Sequence, residues 1–135
     1  MEFFAIEDHL VNCYTRSQAM ADGMLVDISE ATVKAGFKAP VAMTRTAWSD
    51  CVEWSKATAD RKATFQDEKD RLRAVVYVAM LAARNCEGMS RTVFDLYRVP
   101  VTGKSLKPRR RSLVMQIGPG DTGEPVITIS LPGEC

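Results

Sequence analysis

The sequence predicts an α+β fold, with a helical N-terminal half packed against a three-stranded antiparallel β-meander at the C-terminus. Three observations carry this expectation. First, Leu72, Val75, Val76, Ala79, Met80 and Ala83 recur at the i, i+3, i+4, i+7 spacing of one helical face. Second, three segments after residue 91 alternate with period two, as strands with one buried face do. Third, these segments are separated by Gly-, Pro- and polar-rich connections, which suits sequential antiparallel strands.

Residues 2–22 read as one or two short helices stopped by Gly23. Met24 to Asp27 is a short apolar run that fits a strand. Ser29 caps a short helix through Ala35, and Gly36 ends it. Pro40 to Met43 is extended. Thr44 caps a helix to about Trp54, with Trp48 and Val52 on one face and Ala47, Cys51 and Trp54 beside them. Residues 55–65 are polar and aperiodic, and read as a loop. The clearest helix spans Asp67 to Asn85. Asp67, Glu68 and Asp70 suit its positive N-terminal end, and Arg84 suits its C-terminal end. Its apolar stripe is the natural cover for the meander. The strands are Thr92–Val99, Ser112–Ile117 and Val126–Leu131, with Phe94 and Leu96, then Leu113, Met115 and Ile117, then Ile127, Ile129 and Leu131 on their apolar faces.

A chain of 135 residues fits a single domain. Its 46% hydrophobic and 26% charged residues place it with globular proteins rather than disordered ones. The net charge of +1 creates no global field, yet residues 1–60 carry −4 and residues 61–135 carry +5. That asymmetry points to a charged partner. Cys13, Cys51, Cys86 and Cys135 are widely spaced with no Cys-x-x-Cys pair, and read as reduced thiols of a cytoplasmic protein, two disulfides being the alternative. The N-terminus lacks the basic start of a secretory signal. The longest apolar run, Ala74 to Ala83, is half the length of about 20 residues that a membrane span needs, so no membrane contact is expected.

Several motifs fail on context. Gly118-Pro-Gly-Asp-Thr-Gly123 matches a dinucleotide fingerprint in letters, but Pro125 and a β-branched strand follow where a helix is required. It reads as a hairpin turn whose glycines supply positive φ. Thr102-Gly-Lys-Ser105 resembles the end of a phosphate loop, but Arg98 stands where the first glycine belongs. The scattered cysteines and the single His9 make a metal site unexpected. His9, one helical turn before Cys13, is the only imidazole base and the only acid–base pair candidate. No cofactor and no enzymatic activity are expected.

One stretch has reach. Lys104, Lys107, Arg109, Arg110 and Arg111 are uninterrupted by any acid and sit beside Pro108 at an expected hairpin tip. Such a loop can neutralise phosphates of a nucleic acid, grip an acidic protein face, or protect a strand edge from aggregation. Trp54, before a polar segment, is a further candidate contact residue, with core packing as its alternative.

Four segments share a likeness: Tyr14 to Ser29, Ala35 to Thr44 with Trp48, Phe94 to Pro100, and Ile117 to Ile129 with its Gly-Pro-Gly-Asp turn. Together they resemble a family of small uncharacterised proteins carried on plasmids and integrated mobile elements of proteobacteria. The resemblance runs from about Tyr14 to Pro132 and leaves out the first thirteen residues. It implies no catalytic residues. It implies an accessory role in mobile-element biology, where neighbouring proteins counter host restriction or CRISPR defence or support conjugation and replication. The expected function is therefore a non-enzymatic accessory protein that binds a macromolecular partner. A nucleic-acid-binding protein and an enzyme with an unrecognised site are the alternatives.

Overall fold

Helix boundaries in the computed structural model, which describes residues 15–85 and 88–134, follow local capping chemistry. Helix α1 (Arg16–Ala21) opens on a capping box: Thr15 Oγ1 accepts from the Gln18 amide, and Gln18 Oε1 accepts from the Thr15 amide, both at 3.0 Å. Strand β1 (Leu25–Asp27) leads to α2 (Ser29–Ala35), which Gly36 ends in the left-handed conformation. Strand β2 (Val41–Thr44) runs into α3 (Arg45–Cys51), where Thr44 Oγ1 accepts from the Ala47 amide. Residues 55–65 are not a loop. Ser55 caps a two-turn helix, α4 (Lys56–Lys62), whose buried residues, Thr58 and Lys62, are both polar, so it leaves no apolar stripe in the sequence. Helix α5 (Glu68–Asn85) buries Val75, Val76 and Ala79.

Strands β3 (Arg91–Arg98), β4 (Arg109–Pro119) and β5 (Pro125–Ser130) complete the fold. The expected architecture of a helical front on a three-stranded antiparallel meander is corrected here. The sheet has five strands in the order β1-β2-β5-β4-β3 and is mixed, because β2 runs parallel to β5 while the other neighbours are antiparallel. Two of its strands come from the N-terminal half, between the helices. The physical reason lies in β2. Val41, Ala42 and Met43 are each 0% exposed, so the strand is buried on both faces and shows no alternation. With four residues, β2 reads only as an extended link.

Alternation along the paired register places Phe94, Leu96, Leu113, Met115, Ile127, Ile129, Val41 and Met43 on one face of the sheet. They form the core with Ile28 and Phe37, with Ala47, Cys51 and Val52 around α3, and with Val75, Val76 and Ala79 of α5. The α1 segment reaches the other face, where Arg16 donates to Thr128 Oγ1 and to the Ile127 carbonyl, both at 2.7 Å. Among the described residues no helix is long and apolar enough to cross a membrane.

The glycine-rich turn does a specific job. Asp121 accepts from the Arg16 amide at 2.8 Å and from the Ser17 amide at 3.0 Å, so the β4–β5 turn pins the start of α1. Of its glycines, Gly123 alone has positive φ, at 86°. Gly120 serves close approach instead: its amide donates to the Glu124 carbonyl at 2.6 Å, and a Cβ there would meet the Glu124 carboxylate at 2.5 Å. Asp121→Ala removes both bonds to α1. The expected cost is about 1 kcal/mol, read as a fall of about 4 °C in thermal midpoint.

Candidate partner surface around the β3–β4 hairpin

The hairpin rests on a buried arginine. Arg71, one turn before Val75 on the inward stripe of α5, is 6% exposed. Its Nε donates to the Val52 carbonyl at 3.0 Å. Its Nη1 donates to Gln66 Oε1 at 2.8 Å and to the Val99 carbonyl at 3.0 Å, and its Nη2 reaches the Asp50 carbonyl at 3.3 Å. The guanidinium also lies 4.9 Å over the ring of Trp54, a cation–π contact. Burial lowers the Arg71 pKa, as expected where carbonyls rather than carboxylates satisfy the cation.

Beside it, one carboxylate holds two arginines. Asp50 Oδ1 accepts from Arg98 Nε at 2.8 Å, and Asp50 Oδ2 lies 3.1 Å from Arg111 Nε. The side chains are 22% exposed for Asp50, 13% for Arg98 and 38% for Arg111, so the Arg98 pair is the better sheltered. Cys51, next in sequence and fully buried, has its thiol pushed up to about 11, first by burial and then by the Asp50 charge. It is a packed thiol rather than a nucleophile.

The connection from β3 to β4 is held by cations at its root. Lys62 Nζ donates to the Pro100 carbonyl and, at 3.0 Å, to the Thr102 carbonyl. Arg61 donates to the Val101 carbonyl between them. Three successive carbonyls are thus satisfied by the C-terminal end of α4. Lys62 is 5% exposed, and burial, with Arg61, Arg71 and Arg98 nearby, lowers its pKa. No acid neutralises the loop through these contacts.

The predicted basic residues do not all share one setting. Lys104 and Lys107 are exposed in the loop, as expected of a hairpin tip. Arg109, Arg110 and Arg111 belong instead to the first turn of pleat in β4, opposite Arg98, Tyr97 and Leu96. Arg109 and Arg110 are exposed, whereas Arg111 turns inward to Asp50. Trp54 is 5% exposed, with its indole N–H donating to the Thr64 carbonyl at 3.2 Å, so it supports Arg71 from beneath the surface. His9 and Cys13 lie outside the described residues, as do Cys86 and Cys135. Among the described residues, no group of three His, Cys, Asp or Glu could hold a metal ion.

Sequence reasoning missed Asp50, Arg61, Lys62, Arg71 and Arg98. Arg71 did leave a trace, a charge on the inward stripe four residues before Val75. Asp50 and Arg98 are 48 residues apart and left none. A cleft of about 420 Å³ opens between α5 and β3, lined by Phe65, Asp70, Arg71, Leu96, Arg98 and Pro108 among others.

A family profile described as "Family of unknown function (DUF6573)" matches residues 1–135, and the chain belongs to that family. The match takes in the first thirteen residues, which the sequence resemblance had left out. No match to a curated protein or to a solved structure was found.

Asp50→Ala strands Arg98 and Arg111 without a counter-charge. With partial exposure discounted, the expected loss is about 2 kcal/mol in urea unfolding, against less than about 1 kcal/mol for Arg111→Ala. Cys51 sets a second expectation. Above its ordinary value of 9.0 the unfolded thiol loses its proton, while the folded thiol keeps it to about 11. The Cys51 contribution is therefore fully present below pH 9.0 and is lost as pH rises through that window. The stability difference between wild type and Cys51→Ala, followed across this pH range, reads that slope directly.

Proposed function

We propose that this member of the family of unknown function is a cytoplasmic, non-enzymatic accessory protein that grips an acidic face of a partner protein with its β3–β4 hairpin. One observation carries the reading. Lys104 and Lys107 on the loop and Arg109 and Arg110 at the start of β4 stand exposed without a carboxylate partner among the described residues, and the root of that loop is fixed by Arg61 and Lys62. A pre-ordered cationic loop loses little conformational entropy on binding and accelerates encounter with an acidic face. Leu106 favours a protein over a phosphate backbone. It is 53% exposed among those cations, and an apolar side chain can be buried against a protein face but not against a phosphate backbone.

The setting of a mobile genetic element, with a role against host restriction or CRISPR defence, is the biological frame we propose for this binding. It is supported by the resemblance of the segments around Tyr14 to Ser29 and Ile117 to Ile129. A nucleic-acid reading has one observation in its favour: Tyr97, 67% exposed, lies directly across from Arg110, an arrangement suited to stacking a base.

Affinity capture from a bacterial host extract, with and without nuclease, separates the two. We expect a protein partner that survives nuclease and is reduced at least about tenfold by Lys104→Glu/Lys107→Glu and by Arg109→Glu/Arg110→Glu, with both variants folded by circular dichroism. Partners that vanish with nuclease transfer the function to nucleic acid. Capture unchanged by either charge reversal overturns the hairpin reading.

A further inference from the structure

We propose that the outer edge of β3 accepts an extended, acidic peptide segment of a partner protein as a sixth strand, with side chains seated in the cleft between β3 and α5. β3 is the terminal strand of the sheet and, among the described residues, pairs only with β4. The parity of the ladder says which backbone groups are left over. The Ile117 amide donates to the Ser90 carbonyl at 2.8 Å, directly opposite in register. Residues 92, 94, 96 and 98 therefore turn their backbone groups toward β4, and Arg91, Val93, Asp95 and Tyr97 turn theirs outward. The register is continuous over all eight residues, with no bulge and no proline. A long, regular open edge is a template for another strand.

The cleft meets that edge. Leu96, Tyr97, Arg98 and Val99 all line it, although successive residues point to opposite faces, so the cleft follows the strand along its side. Its far wall is the start of α5, with Phe65 at the rim, 78% exposed. Leu96 and Val99 supply an apolar floor, and the volume of about 420 Å³ suits one or two side chains of an added strand.

Charge chooses the occupant. The end of the cleft at Pro108 adjoins Lys107 and Arg109, exposed and unpaired among the described residues, with Arg98 already held by Asp50, while Asp67 and Asp70 line the α5 wall. A peptide with alternating apolar residues and an acid at the hairpin end satisfies the open amides, the floor and the cations together. This inference deepens the reading above, because the strand leads the partner into the basic hairpin.

Selection of a phage-displayed random 12-residue peptide library on the full chain provides the test. Expected winners alternate apolar and polar residues and carry Asp or Glu near one end. Val93→Pro and Asp95→Pro each delete an outward amide while leaving the β4 ladder paired, and each should weaken the selected synthetic peptide about tenfold. Val93→Ala, which keeps the amide, should not. Bound peptide should also slow amide exchange at Val93, Asp95 and Tyr97. Absence of an enriched peptide, or a peptide indifferent to both prolines, overturns the edge proposal. Peptide binding weakened by the hairpin charge reversals but untouched by the prolines removes the edge and leaves the hairpin reading standing. The converse pattern removes the hairpin alone.

Discussion

The guanidinium of Arg71 is the interaction on which the hairpin end of this molecule depends. It gathers the carbonyls of Asp50 and Val52 at the end of α3 and of Val99 at the end of β3, and it does so from α5. Three elements that share no local sequence are thereby fixed at one point. Each of those carbonyls lies in the last turn of a helix or just past the end of a helix or strand, where the regular partner is lost, and a buried carbonyl without a donor is costly. A planar group with five donors is the side chain best able to serve several at once. The ring of Trp54 lies under the guanidinium, 4.9 Å from its carbon to the ring centroid.

The same chemistry explains why the hairpin keeps its charge. Arg61, Lys62 and Arg71 are satisfied largely by neutral carbonyls, and Asp50 is shared between Arg98 and Arg111. A fold that needed only stability could have matched these cations with carboxylates one for one. Instead the inner cations order the loop without cancelling the field of the outer ones. The β3 edge runs into this region, so backbone pairing, an apolar floor and positive charge converge within the span of one extended segment.

Much of this was legible along the chain. The stripe from Leu72 to Ala83 marked α5, and the alternation of Phe94 with Leu96, of Leu113 with Met115, and of Ile127 with Ile129 marked residues of β3, β4 and β5. Short elements were less legible. α4 buries only polar residues and so carries no hydrophobic period, whereas β1 showed as the apolar run Met24 to Asp27 but without any sign of its partner strand. The basic stretch was visible as composition, yet nothing in it announced that Arg111 would turn to Asp50 while Arg110 faced water. That division follows from which face of β4 each residue occupies.

By itself the sequence determined the periodic elements, the α+β class and the accumulation of cations between β3 and β4, because those properties are written in neighbouring residues. Tertiary structure alone decided that β2 would insert beside β5 in parallel, making the sheet mixed and leaving β3 at its edge. It alone decided that Arg71 would lie in the core and that Lys62 would hold the Pro100 and Thr102 carbonyls. The physical reason is the same in each case. Strand order, shared counter-charges and capped carbonyls join residues tens of positions apart, and the free energy that selects them comes from burial and hydrogen bonding that exist only once the chain has closed on itself.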